Sequence, residues 1–395
     1  MTATRNLRIY WASRLIAGAS GTAAPVVLAV STLSASVGAS VLAPMLSAQA
    51  VGQLVALATA GIIIDRVNRQ AFLVCVQMLA GLTWAAFALL LFTDAHNPTL
   101  WIGIGALLGL LAGLNGPATH SLLSFLVDRD AMKTVVANIR ISLNIVALLS
   151  PVVAGAAIAV LPPGVVPLAM AIFMAVSALT LCALPAMRSR ASEGPEPSGL
   201  RDILQGWFVI IVLTTSAMNL LWAGFFQLRG PIAIAGEGGT GAAEWGIVSA
   251  SFAAGLIAGG VYYRRATFRD PVGTPLLLLA PKALPILVIA VYPHAIVLSI
   301  AAAVAGFFLE AFAVNFATQM QLRMPQHALG KALSLDGFIG IGLLPLGYAA
   351  ADATARAGMT ELSGILAAVG TLLLAVLGWA LLRWRGSQRG AIGSA

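Results

Sequence analysis

Long apolar runs recur along this 395-residue chain and decide what it can fold into. A helix needs about 20 mainly apolar residues to cross the hydrocarbon core of a bilayer. Twelve such runs are present: 9–32, 41–63, 71–92, 100–124, 137–161, 165–186, 206–228, 244–263, 272–293, 295–319, 333–352 and 362–383. The sequence therefore predicts an all-α polytopic membrane protein with twelve transmembrane helices.

The composition also indicates a membrane protein. Charged residues make up 9% of the chain, whereas soluble domains carry about 25%. The net charge of +8 is spread over short segments between the apolar runs and forms no patch of the kind that nucleic acids bind. The chain shows no metal-ligand cluster, nucleotide-binding lysine motif or nucleophile motif, and its two cysteines lie inside apolar runs. We therefore expect no enzyme activity, cofactor, metal or nucleic-acid partner.

A polar stretch at 188–204 separates six runs from the other six. We expect an N-terminal six-helix bundle at 1–187, a cytoplasmic linker at 188–204, and a C-terminal six-helix bundle with a short basic tail at 205–395. SPVVAG in the fifth run and PLGY in the eleventh place a proline at similar depth, which is weak internal symmetry. Two pseudo-symmetric bundles of this kind are typical of secondary transporters, whose substrate site lies between the halves.

Lysine and arginine placement predicts the orientation. With the N-terminus inside, only Arg229 and Arg356 of the basic residues fall on the outside, and cytoplasmic loops are the ones enriched in Lys and Arg. We expect a multi-pass protein of the inner or plasma membrane, with both termini cytoplasmic, that functions as a monomer.

The stretch GIIIDRVNRQ follows the second run and resembles the cytoplasmic loop signature of the major facilitator superfamily. The matching residues are Gly61, Asp65, Arg66 and Arg69. A carboxylate at the C-terminal end of a helix opposes the helix dipole by about 0.3–1 kcal/mol, so Asp65 needs a partner. The resemblance implies that Asp65 is a gating latch between the two halves. The alternative is a solvated acid paired with Arg69.

A second resemblance is to the drug and siderophore exporter branch of that superfamily. In the stretch 316–358 the matching residues are Thr318, Gln321, Pro325, Leu329, Gly330, Ser334, Asp336, Pro345, Leu346 and Gly347. The stretches 8–21 and 127–155 fit the same branch. The first helix lacks the carboxylate that many exporters have after this pattern, and Thr22 lies in that region. The resemblance implies proton-coupled export of hydrophobic or amphipathic small molecules.

A charged side chain at the middle of the membrane costs about 2.5–3.5 kcal/mol, so each charge inside an apolar run is a candidate functional residue. Lys282 and Glu310 lie near the middle of consecutive runs. An ion pair between them is the simplest way to offset the cost of placing both charges in the membrane. A proton carrier and a purely structural pair are the alternatives. Arg14 either faces the cavity or extends to the cytoplasmic surface. Arg140 is expected to be structural.

Polar and aromatic residues recur at helical spacing in two runs, and one titratable residue lies in a third. The candidate cavity residues are Thr215, Asn219, Trp222 and Phe226 in the seventh run, Phe308, Phe312, Asn315 and Gln319 in the tenth, and Thr22 and His120. Glu310 lies about 180° from Gln319 at 100° per residue. We therefore expect the stripe to line the path and Glu310 to turn towards Lys282.

These patterns favour an exporter of antibiotics or secondary metabolites that works by alternating access in the lipid bilayer, with protons as the coupling ion. Two alternatives remain. One is a symporter that takes up a metabolite or siderophore. The other is a non-transporting membrane sensor built on a transporter scaffold.

Overall fold

A computed structural model describes residues 2–64, 67–126, 129–184, 204–236, 241–263, 270 and 272–392. Within these ranges the regular structure is helical and contains no strand. Among the described residues, twelve helices are long and apolar enough to cross a membrane, and each overlaps one of the predicted runs. The predicted all-α class with twelve transmembrane helices is thus confirmed.

The first six spanning helices are uninterrupted. They are α1 (Thr2–Leu33), α2 (Gly38–Ile64), α3 (Arg69–Phe92), α4 (Pro98–Leu126), α5 (Arg129–Val160) and α6 (Val165–Cys182).

Three of the last six are broken into segments. α7 comprises Gly206–Trp222, a π-helical segment Ala223–Arg229 and a final turn Gly230–Ala235; α8 is Ala242–Tyr263; α9 comprises Thr274–Leu277, a 3-10 turn Ala280–Lys282 and Ala283–Val291. Then follow α10 (Ala295–Arg323), α11, comprising Gln326–Gly342 and Leu344–Arg356, and α12 (Thr360–Ile392).

By its internal packing the chain forms two compact units. The first comprises Met1–Glu193 and Pro231–Ala250, and the second comprises Gly194–Gly230 and Ser251–Ala395. This division differs from the sequence-based boundaries because the start of α8 packs against α5. A Cβ on Gly246 of α8 would lie 2.7 Å from the carbonyl oxygen of Pro151 in α5.

Close backbone approach holds α2 and α4 together in the first unit. Gly52 of α2 faces α4, and Gly105, Gly109 and Gly113 of α4 face α2. Added Cβ atoms there would meet neighbouring backbone carbonyls or side chains; at Gly109 the atom met is the carbonyl oxygen of Gln49. Small residues at i and i+4 allow such contact in lipid, where packing drives helix association because burial in apolar surroundings brings no hydrophobic gain.

Polar contacts secure the loops of this unit. The backbone N–H of Ser36, between α1 and α2, donates to Asp94 Oδ1 at 3.1 Å in the loop between α3 and α4. Hydrogen bonds from the Ser36 side chain and backbone lower the pKa of Asp94. Asn68 caps α3 because its Oδ1 accepts from the backbone N–H groups of Gln70 and Ala71.

The second unit uses the same glycine-based packing. A Cβ on Gly347 of α11 would overlap the carbonyl oxygen of Leu220 in α7, and one on Gly259 of α8 would overlap that of Phe307 in α10. Large apolar side chains on the outer faces stay exposed, as for Leu373 in α12, which is 63% exposed. Exposed leucines of this kind suit a surface that is solvated by lipid chains.

Two glycines of α4 give a matched test of this packing. We expect Gly109→Ala to lower the free energy of unfolding by about 1–3 kcal/mol, because the added methyl group forces α2 and α4 apart. Gly103→Ala is the control, since a Cβ at Gly103 meets nothing within 4 Å. Thermal stability of the purified, detergent-solubilised protein measures both variants. Equal stability of the two would contradict the close packing of α2 and α4.

Candidate functional site

Lys282 is the centre of a polar cluster inside the second unit. Its side chain is 3% exposed. Lys282 is the last residue of the 3-10 turn Ala280–Lys282 that interrupts α9, and it lies between Pro281 and Pro285 in the sequence. Lys282 Nζ donates to Asn219 Oδ1 of α7 at 2.8 Å. Glu310, by contrast, lies against α8, where a Cβ on Gly260 would be 3.3 Å from Glu310 Cγ. The predicted Lys282–Glu310 ion pair is therefore wrong.

An aromatic group lies next to the Lys282 ammonium on the α7 side, and one of its rings contacts the ammonium. Nζ lies 5.2 Å from the centroid of the Trp222 ring, within the range of a cation–π interaction. Trp222 stacks on Phe226 with centroids 4.2 Å apart, and Phe252 of α8 lies 5.4 Å from Trp222 and 5.6 Å from Phe226. Lys282 thus lies between an amide oxygen and the ring of Trp222, and that ring belongs to a group of three aromatic side chains.

Local geometry explains why these residues share one face. Asn219 and Trp222 are three residues apart on an α-helical turn and so lie on the same side of α7. The π-helical segment begins directly after Trp222. π-helical segments within α-helices occur frequently at functional sites. The helices that supply Lys282, Asn219 and Trp222, namely α9 and α7, are thus both interrupted next to the cluster.

The stripe on α10 divides into two environments. Phe312, Asn315 and Gln319 are buried, and Gln319 Oε1 accepts a hydrogen bond from Arg323 Nε at 2.8 Å. Phe308 instead lines an apolar groove of about 540 Å³ formed with α9 and α12. The groove also contains Leu284, which is 43% exposed, so it opens at the surface of the unit. Among the described residues, Phe308 and the three buried members of the stripe thus lie in different surroundings.

Two predicted hydroxyls donate to backbone carbonyls of their own helix. Thr22 Oγ1 donates to the carbonyl of Gly18 at 2.9 Å, and Thr215 Oγ1 donates to that of Ile211 at 2.9 Å. Arg14 is half-buried.

Part of the predicted site lies outside the described residues. These are the gating residues Asp65 and Arg66, together with the side chains of Arg69, His120 and Arg140; Gly61 lies within α2. The described neighbour Gln70 bridges two helices, because its Nε2 donates to the carbonyls of Leu181 and Leu184, each at 2.8 Å, at the end of α6. The role of Asp65 stays a prediction.

The first unit contains a buried polar network that the sequence did not predict. Ser13 of α1 and Ser177 of α6 lie with their hydroxyl oxygens 2.7 Å apart, and Ser177 donates to Gln77 Oε1 of α3 at 2.7 Å. Gln77 Nε2 in turn donates to Asn115 Oδ1 of α4 at 3.5 Å. Each residue alone is an ordinary polar residue in an apolar run, so only the packing of four helices reveals the network.

Two further members of the Lys282 cluster were also missed. Phe252 belongs to α8 and completes the aromatic group. Ser216 of α7 is 1% exposed, and its hydroxyl has no hydrogen-bond partner. Its spacing of three residues from Asn219 would have placed it on the predicted stripe. A Cβ on Gly340 of α11 would lie 3.9 Å from both Ser216 Oγ and Asn219 Nδ2.

Membrane transport proteins characteristically combine many spanning helices with interrupted helices and a charged side chain inside the membrane. The described residues show all three features, with Lys282 as the buried charge. The sequence profile of the Major Facilitator Superfamily matches residues 10–343. The chain therefore belongs to the Major Facilitator Superfamily, a family of transporters, and is not an enzyme. No curated protein matches its sequence.

Solved structures of transporters share the fold at low sequence identity. A single-site mutant of the nucleoside transporter NupG is 12% identical, with a TM-score of 0.73 over 96% of this chain and 99% of that one. The POT family transporter PepTSo is 11% identical, with a TM-score of 0.73 over 97% and 99%. The xylose transporter XylE from E. coli, in an inward-open conformation, is 14% identical, with a TM-score of 0.70 over 95% and 96%. At these identities the likeness concerns the fold alone.

The polar network of the first unit is open to a direct test. We expect Ser177→Ala to cost about 1–3 kcal/mol of unfolding free energy, because Gln77 Oε1 loses its donor in a buried site. Ser142→Ala is the control, since the Ser142 hydroxyl bonds only the Asn138 carbonyl of its own helix. Thermal unfolding in detergent compares the two variants. A stable Ser177→Ala protein would show that the network contributes nothing to stability.

Proposed function

We propose that this transporter exports hydrophobic or amphipathic small molecules, such as antibiotics or secondary metabolites, by alternating access. It would use the proton gradient and act as a monomer in the cell membrane, with both termini cytoplasmic. The resemblance of 316–358 to the drug and siderophore exporter branch supports this direction of transport.

The observation that carries the substrate class is the aromatic group of Trp222, Phe226 and Phe252. Aromatic rings offer large apolar contact areas and bind amphipathic molecules through stacking with little demand for one shape. Among the described residues, the polar members of the cluster are Asn219, Ser216 and Lys282. Recognition of a sugar or nucleoside would need several fixed hydrogen-bonding groups around its hydroxyls. This arrangement suits a mainly apolar ligand with one polar end.

Gating and coupling are assigned from the sequence. Asp65 belongs to the loop signature and would hold the two halves together on the cytoplasmic side until that side opens. Glu310 is a membrane-embedded acid of α10 and a candidate for carrying the coupled proton. Lys282 is the other charged candidate in this unit.

Export and gating are tested by a susceptibility panel in an efflux-deficient bacterium. Wild type, Asp65→Asn and Glu310→Gln are expressed at equal membrane levels and challenged with lipophilic antibiotics and dyes. We expect wild type to confer resistance and Asp65→Asn to abolish it, because the latch loses its charge. Loss of resistance in Glu310→Gln supports the glutamate as the proton site, and retained resistance excludes it. Resistance to no compound in wild type would overturn the export proposal.

The aromatic group is tested in the same cells. We expect Trp222→Leu to reduce resistance to flat aromatic compounds more than resistance to aliphatic ones, because the stacking surface beside Phe226 is lost. Trp379→Leu in α12 is the control, since that ring contacts Arg383 and lies outside the aromatic group. An identical resistance profile for Trp222→Leu and wild type would show that the aromatic group does not bind the substrate.

A further inference from the structure

We propose that the Lys282 cluster binds the carboxylate of an amphipathic aromatic acid within the second unit. Lys282 and Ser216 would hold the anion, and Trp222, Phe226 and Phe252 would hold the aromatic body. This inference deepens the export proposal by naming the chemical class of the substrate, and it rests on that proposal only for the direction of transport.

The first argument is the electrostatic environment of Lys282. An ammonium has three N–H donors, and the described partners of this one are the Asn219 oxygen and the face of Trp222, both of which are uncharged. In the described part of the chain, the ion pair found joins Arg356 and Asp352, at the far end of α11. Burying a charge without a counter-ion is strongly unfavourable. A ligand carboxylate would supply the missing charge.

The second argument is a second donor on the same face of α7. The Ser216 hydroxyl is fully buried and has no hydrogen-bond partner, and leaving such a group unsatisfied is costly. Ser216 lies one turn before Asn219, and both flank the same point on Gly340 of α11. A carboxylate has two oxygens and so accepts from both an ammonium and a hydroxyl. Lys282 and Ser216 both lack a full set of hydrogen-bond partners, and a carboxylate would accept from both.

The third argument is the shape of the helices that carry the site. The 3-10 turn of α9 ends at Lys282, and the π-helical segment of α7 begins after Trp222. Transporters bind substrates at interrupted helices near the middle of the membrane. The apolar groove lined by Phe308 includes Pro281 and Ala283 but not Lys282, so the charge is directed to α7 and away from the groove.

The competing explanation is that Lys282 carries a transported proton and meets no anion. In that case it would spend part of the cycle as a neutral amine, and a ligand carboxylate would bring no advantage over an uncharged group. The two explanations differ in whether binding depends on ligand charge when the shape of the ligand is kept.

The experiment measures equilibrium binding of radiolabelled 2-naphthoate and 2-naphthamide to the purified full-length protein. The two probes have the same rings and nearly the same shape, and only the first is an anion. We expect wild type to bind 2-naphthoate about tenfold more tightly, a difference equal to about 1.4 kcal/mol. Lys282→Met should remove this preference and Lys282→Arg should retain it.

Two further variants control for folding and for charge. Asn219→Asp replaces an amide by a carboxylate of the same shape beside Nζ, so it occupies the ammonium and should abolish the preference even if Lys282→Met does not fold. Arg383→Met removes an exposed cation that also lies 5.2 Å from a tryptophan ring, that of Trp379, and should bind both probes as wild type does.

Equal binding of the two probes by wild type would overturn the proposal, and so would a preference that survives both Lys282→Met and Asn219→Asp. Binding is measured without transport, so the two proposals fail separately. An acid preference in a protein that confers no resistance would refute export and keep the site. Resistance without an acid preference would refute the carboxylate site and leave the export proposal standing.

Discussion

The bilayer interior offers no water to backbone amides and carbonyls, and the rest of this structure follows from that constraint. Each spanning segment must satisfy its own hydrogen bonds, so it becomes a helix. Between such helices apolar burial brings no advantage over lipid, and close packing has to hold them together. The glycines of α2 and α4, and those joining α7 to α11, serve this purpose by letting one backbone touch the next.

Departures from this regular scheme are concentrated in the second unit. α7 widens into a π-helical segment after Trp222, and α9 tightens into a 3-10 turn that ends at Lys282. The same two helices provide the lysine, the amide and two of the aromatic rings. Such irregular backbone is tolerated in a membrane only where protein surrounds it or where it lines a water-filled cavity. The cluster therefore combines a buried charged side chain with irregular backbone in both helices that supply its polar groups.

The first unit uses polarity differently. Ser13, Gln77, Asn115 and Ser177 satisfy one another across four helices and carry no charge. A network of this kind specifies how the helices pack, because any shift of one helix leaves a buried group without its partner. The second unit, by contrast, keeps a charge next to neutral partners and a hydroxyl without one. That difference is why the ligand proposal concerns the second unit.

The sequence by itself determined the number of helices, their approximate ends and the family, because the length and hydrophobicity of each segment are local properties of the chain. It also identified Asn219, Trp222 and Phe226 as one face of α7 from their spacing. It did not determine the partner of Lys282: consecutive helices suggested Glu310, whereas packing placed the lysine against α7 and the glutamate against α8. Only the tertiary structure decided that, because helical periodicity orients a residue about its own axis and carries no information about which neighbouring helix that face meets.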